Sequence, residues 1–293
     1  MKSNSIKLIV GFLVLIISTT AFAQEFQGKA YYFSKTSIDM TNFGGREMSP
    51  DRKKQIADRM KSAFEKVYVL TFNKEESSYK EEEVLEAPGQ GGFRMMMGSF
   101  TGGAQYKNVK EQRLLQEQEF FGKQFLIKDS LPKLEWKLGS ETKQIGKYMC
   151  FKATAVKKVD ELDFRSMRRR NTDENEDSKK AKDSTEVKDP MDEVEIPKEI
   201  TVTAWYTPQI PINQGPGEYW GLPGLILEVN ADRTTILCSK IVMNPSEKEA
   251  FKIPSKGKEV TKQEYSDIMK KKMKEMSEMF RNRRGRGGDR IRH

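Results

Sequence analysis

The residue types able to do chemistry are few in this 293-residue chain, and their placement limits what they could do. The sole histidine is His293, the last residue, so a Ser-His-Asp triad, a Cys-His pair or a multi-histidine zinc site would have to be assembled at a chain terminus. No GxGxxG follows a strand pattern, and there is no phosphate loop and no CxxC, which removes dinucleotide, nucleotide and thioredoxin-type chemistry. One acid–base arrangement is left. Glu218 and Glu228 flank a Gly/Pro-rich hexapeptide, with Trp205 and Trp220 near enough in sequence to offer an aromatic platform to a sugar. Acidic residues number 43, however, so two of them beside a motif are more simply surface or turn residues. The methionines could suggest a thioether Cu(I) site, but no His or Cys lies beside those of the C-terminal segment. No catalytic residue, cofactor or metal is therefore expected, and the chain reads as non-enzymatic.

The two cysteines, Cys150 and Cys238, take their meaning from the compartment. Lys2 and Lys7 make a basic start, Ile6 to Ile17 is apolar apart from Gly11, and Ala21-Phe22-Ala23 presents small residues where a signal peptidase reads. Residues 1–23 are thus expected to be a cleaved signal peptide, and Gln24, not a lipid-bearing cysteine, follows the cut. About a dozen apolar residues cannot span a hydrocarbon layer that needs about 20, so no transmembrane span is expected after cleavage and the mature chain is expected in the periplasm or outside the cell. In an oxidising compartment Cys150 and Cys238 are candidates for one disulfide, worth about 4 kcal/mol in the chain-entropy model. Two buried thiols are the alternative, because a bridge needs Cα atoms within about 7 Å.

The elements that must carry these residues follow from periodicity. Residues 28–34 and 66–73 read as strands, and apolar side chains on both faces of the second place it inside a sheet. Between them Ser49-Pro50 can open a helix over about residues 50–64, with Ile56, Met60, Ala63 and Phe64 on its apolar side. Further strands are expected at 77–86, 104–110, 113–120, 123–127, 134–138, 147–156 and 199–206, a spacing that points to an antiparallel sheet. Residues 88–103, rich in glycine and carrying Met95-Met96-Met97, read as a loop. Residues 160–197 are almost wholly charged and read as a disordered insertion between neighbouring strands. Near the end, Thr261-Lys262-Gln263-Glu264 is a capping-box sequence leading into an amphipathic, methionine-rich helix.

The net charge of +9 comes mostly from that end of the chain. From Lys256 onward 13 Lys and Arg face 6 Asp and Glu, with arginine and glycine interleaved from Arg281 to Arg292. Nucleic acid is a poor partner for an exported protein. An anionic envelope surface or an acidic protein suits this tail better, and a solvated disordered tail is the simplest reading.

The hexapeptide is Gly221-Leu222-Pro223-Gly224-Leu225-Ile226, preceded by Gly215-Pro216-Gly217-Glu218-Tyr219-Trp220. Glycines that permit positive φ, prolines that fix φ and an apolar run behind them describe a turn that sets the register of a buried strand. Tyr219 and Trp220 are the aromatic residues there best suited to touch a partner. Trp136 and Leu138, Ile145 to Ala153, Thr203 to Thr207 and Ile210-Pro211 form further blocks. Together with the hexapeptide, they resemble the GLPGLI family of exported, uncharacterised proteins of Bacteroidota. The resemblance covers roughly residues 28–243, implies a β-rich exported protein and carries no catalytic residues with it.

The expected architecture is a mainly β (α+β) protein with an antiparallel, curved sheet, an inserted N-terminal helix and a C-terminal amphipathic helix. One GLPGLI-type domain would occupy residues 24–255, and the helix and basic tail would occupy 256–293. The expected role is a binding or interaction protein of the cell envelope, with an outer-membrane or periplasmic protein as partner. A carrier sheltering a lipid or hydrophobic peptide, or a histidine-independent hydrolase, are the alternatives.

Overall fold

The computed structural model describes residues 26–37, 64–82, 102–159, 197–247 and 249–287, with residues 49, 51, 54, 55 and 58 and the pairs 168–169 and 194–195. β1 (Gly28–Thr36) alternates buried and more open side chains along its whole length, the period of a strand with one face in a core. β2 (Glu65–Phe72) and β3 (Glu76–Glu81) are joined at Asn73, whose side-chain oxygen accepts the backbone N–H groups of Glu75 and Glu76 at 2.8 and 2.6 Å. The same device recurs between β4 (Gln105–Asn108) and β5 (Arg113–Phe120), where Asn108 accepts from Lys110 and Glu111 at 3.0 and 2.9 Å. β5 passes to β6 (Lys123–Ser130) through Phe121 and Gly122, both at positive φ, the conformation of a tight hairpin turn.

β7 (Lys137–Ile145) and β8 (Tyr148–Lys158) form the next hairpin, and β9 (Arg168–Arg169) with β10 (Val194–Glu195) a separate short pair. β11 (Glu199–Thr207), β12 (Leu225–Ala231), β13 (Thr234–Met243) and β14 (Lys258–Val260) complete the sheet, and α1 (Lys262–Gly287) ends the described chain. Twelve strands lie in the order β14-β6-β5-β4-β3-β2-β1-β13-β12-β11-β8-β7. Every pairing in this sheet is antiparallel except β14 with β6, and β14 and β7 are its two edges, so it is not closed into a barrel.

Register places one set of side chains on a common face. Ala30, Tyr32, Tyr68, Leu70, Phe72, Ser77, Tyr79, Gln105 and Lys107 are cross-strand neighbours, and Val202, Ala204, Val229 and Ile236 continue the row beyond β1. Most of them belong to the main core, which also takes in Ile210, Ile212, Tyr219 and Leu222 from the connection between β11 and β12. A smaller core joins Phe120, Phe125, Ile127 and Val260 to Tyr265 and Met269 of α1.

Several expectations shift. The strand expected at 134–138 starts at Lys137, because residues before it serve the loop described below. The strand expected at 77–86 is described only to Glu81. The helix expected over 50–64 falls largely outside the described residues, so α1 is the one helix among them that forms an element. The signal peptide and nearly all of the methionine loop and of the insertion lie outside them too. The boundary placed at residue 256 separates less than expected, since β14 adds to the sheet and α1 packs on it. The capping box forms as read: the Thr261 N–H donates to Glu264 Oε2 at 2.8 Å, and the Glu264 N–H donates to Thr261 Oγ1 at 3.2 Å.

Candidate functional site: the hexapeptide loop and its cavity

Residues 208–224 connect β11 to β12, and backbone hydrogen bonds tie the connection into a compact body. Leu225 N–H donates to Ile210 O at 2.9 Å, Gly221 N–H to Asn213 O at 3.0 Å and Ile226 N–H to Gln214 O at 3.1 Å. Two glycines are required by geometry. Gly221 has φ +93°, a region L side chains rarely adopt, and a Cβ on Gly224 would sit on the carbonyl of Thr207. Gly221 and Pro223 lie at the surface while Leu222, Leu225 and Ile226 are buried, so the hexapeptide is a turn whose apolar residues point into the core.

Both aromatic residues before the hexapeptide are also inside. Tyr219 and Trp220 are each 7% exposed, which corrects the expectation that they offer an exposed surface to a partner. Trp220 packs with Leu114 and Leu131, and its Nε1–H donates to Pro132 O at 2.7 Å. Trp136 donates its own Nε1–H to Trp220 O at 2.8 Å. A buried indole is seldom left without an acceptor, and here the two tryptophans fix residues 131–136 against the loop.

The loop is held from the far side by Lys107 on β4, five strand positions from β12 in hydrogen-bonding order. Lys107 is 1% exposed, and its Nζ donates to Gly215 O at 2.7 Å and Tyr219 O at 3.2 Å. Burial pulls its pKa down to about 7, and the negative charge of Glu218 pulls it back in part. A neutral amine has two N–H donors, which these two carbonyls satisfy. Ser77 Oγ on β3 adds a hydrogen bond to Gln214 Oε1 at 2.9 Å.

Beside the Gly217–Tyr219 stretch lies a cavity of about 110 Å³. Eight consecutive strands from β4 to β8 in the sheet order contribute lining residues, among them Gln105, Tyr79, Tyr68, Ser34, Ala231 and Lys157. Tyr68 and Tyr79 stack at 4.8 Å with an 11° interplanar angle. Lys157 forms an ion pair with Glu218, its Nζ 5.8 Å from the centre of the Tyr219 ring. Gln105 donates through Nε2 to Gln116 Oε1 at 2.9 Å, while its own Oε1 is buried with no hydrogen-bond donor among the described residues. A buried acceptor without a donor carries a desolvation cost that an N–H or O–H entering the cavity would relieve.

The other sequence candidates separate. Glu228 lies on β12 next to Val229, which faces the main core, so alternation turns Glu228 to the opposite face. There it pairs with Lys143, which stands 5.0 Å from the Trp205 ring centre, and accepts from Asn230 Nδ2 at 2.8 Å. Glu218 lines the cavity, so the two carboxylates are not brought together. Trp205 and Trp220 form no shared platform: Trp205 lies on β11 across from Glu228, whereas Trp220 packs with Leu114 and Leu131. Cys150 and Cys238 are both free and buried in the main core, with no bridge between them. Burial raises the two thiols to about 11 and about 12, so neither is activated.

Lys107, Gln105, Tyr68, Tyr79 and Trp136 escaped notice as site residues. Trp136 alone carried a signal, since it stands in a recurring block, whereas a lysine in the four-residue β4 looks like any edge lysine until the neighbouring strands are placed.

Residues 136–228 match a family described as "Protein of unknown function (Porph_ging)", a stretch that runs from Trp136 through the hexapeptide. No curated protein matches this chain. Among solved structures, "Structure of PNGF-II in C2 space group" and "Structure of PNGF-II in P21 space group" each align with 13% identity and a TM-score of 0.44. Each covers 83% of this chain, while this chain spans about a third of theirs (32% and 33%). Among the described residues no helix is long and apolar enough to cross a membrane, and no three metal-ligating side chains gather.

Proposed function

We propose that this protein is a non-enzymatic binding protein of the cell envelope, exported by residues 1–23, and that its recognition element is the cavity bordered by Gly217–Tyr219. The observation that carries the reading is the buried Gln105 Oε1, an acceptor awaiting a donor at a cavity fenced by three tyrosines and the Lys157–Glu218 pair. Lining residues from eight neighbouring strands support a sheet curled around the hexapeptide loop, because flat strands at about 4.8 Å spacing would lie too far apart to share so small a space. The hexapeptide, which resembles that of the GLPGLI family, then serves as the floor that fixes the cavity and takes no part in chemistry.

The volume selects the kind of ligand. Cavities for drug-sized molecules run to about 300–1,000 Å³, so about 110 Å³ suits a single side chain or chain terminus of a partner protein better than a lipid or a hydrophobic peptide. The hydrolase alternative loses its acid pair, with Glu218 and Glu228 on opposite faces.

A photo-crosslinking residue at position 218, in cells, captures the partner, and Ala231→Trp, which fills the cavity, is expected to abolish the adduct. An adduct that persists in the filled and folded variant would refute the cavity as the site. Absence of residues 1–23 from the mature chain, read by N-terminal sequencing, tests export separately.

A further inference from the structure

α1 is a 26-residue helix whose described side chains fasten it near its first turns. Tyr265 and Met269 are its buried side chains, packed with Phe120, Phe125 and Ile127, and Ile268 is partly buried beside them. Beyond Met269 the helix runs from Lys270 to Gly287, about 27 Å at 1.5 Å per residue, with no side chain in any core cluster among the described residues. Helical spacing keeps Met273, Met276 and Met279 on the side that Tyr265 and Met269 begin, and Met279 is 62% exposed. Lys271 and Lys274 are exposed on the other side, and Lys272 is exposed within the stripe, between Met276 and Met279. Residues 270–287 carry eight Lys and Arg against two Glu, a net charge of +6 on five turns of helix.

A helix with Lys270, Lys271 and Lys274 on one side and methionines on the other, continuing off its anchored first turns, has the form of an in-plane interfacial helix. Methionine suits that setting because its unbranched, polarisable chain packs into irregular surroundings. The charge selects an anionic surface, since each Lys or Arg near such a surface adds to attraction while a neutral surface gains only from the methionines. We propose that the Lys270–Gly287 half of α1 docks the protein onto an anionic lipid surface, with Met273, Met276 and Met279 entering the headgroup region. The helix would do so whether or not the cavity takes a ligand.

Co-sedimentation of the full mature chain with vesicles of phosphatidylcholine containing one quarter phosphatidylglycerol tests this, against pure phosphatidylcholine. Binding is expected to be about tenfold stronger to the anionic vesicles and to fall about tenfold when salt is raised from about 0.1 to 0.5 M. Met276→Asp with Met279→Asp is expected to weaken anionic binding about tenfold at an unchanged melting temperature, because neither residue belongs to a core cluster. Equal binding to both vesicle types, or full binding by the double variant, overturns the proposal. So does failure to bind vesicles by a chain that is retained on an acidic polypeptide such as polyglutamate, which would assign the helix to a protein partner. Lys270→Gln with Lys271→Gln and Lys274→Gln gives a second, charge-only arm that leaves the methionines in place and is expected to remove the anionic preference.

Discussion

The hexapeptide loop and the C-terminal helix are the two segments the sequence marks most clearly, and they are built in opposite ways. The loop has little regular structure, yet contacts hold it from β3, β4 and β5 and from residues 131–136, all distant in sequence. α1 is regular throughout, with a local capping box at its start, yet among the described side chains those packed in the core under the sheet belong to its first turns. Order without secondary structure has to come from long-range contacts, and secondary structure without such contacts remains available for something else to cover.

Substitutions can break this contrast. The largest effect is expected for Gly224→Val, which forces side-chain atoms into the Thr207 carbonyl, a backbone group that cannot move aside; a loss above about 4 kcal/mol in urea unfolding, or failure to fold, is expected. Met269→Ala, in the anchored turns of α1, should cost about 2–3 kcal/mol by the same measurement. Lys107→Met should cost about 2 kcal/mol near pH 8, since it leaves the carbonyls of Gly215 and Tyr219 without donors.

Lys107 also sets a pH dependence whose sign is fixed. The unfolded lysine keeps its proton up to 10.5 while the folded one loses it at about 7, so between those values the unfolded state binds more protons and stability rises with pH. Below about 7 both states are protonated and the contribution is flat. Lys107→Met should remove that rise, and a melting temperature that climbs from pH 7 to 9 equally in both proteins would show that the amine is not its source. Trp136→Phe deletes one indole hydrogen bond and should cost about 1 kcal/mol. Met279→Ala should stay within about 0.5 kcal/mol; a larger loss would mean that the far half of α1 is packed after all.

Much of the sheet was legible because alternation is a local property. The start of β1, β5 from first residue to last, and β11 to within one residue lie where periodicity put them, and the capping box gave the start of α1. The strand expected at 134–138 was misplaced because Trp136 looks like a strand residue in isolation but is spent on Trp220. Tyr219 and Trp220 stand in a Gly/Pro-rich stretch that made them candidate partner contacts, whereas this stretch is covered by strands from elsewhere in the chain. The cavity left almost no trace in the sequence, since its walls come from eight strands whose adjacency no local pattern records.

By itself, then, the sequence determined most element types and the turn at the hexapeptide, because propensity, periodicity and residue type are properties of short windows. Tertiary structure alone decided that Lys107 is buried and drawn toward neutrality, that Glu218 and Glu228 part to opposite faces, and that Cys150 and Cys238 are both buried in the main core. Burial, field and strand order depend on which distant segments meet, and only the assembled sheet decides that.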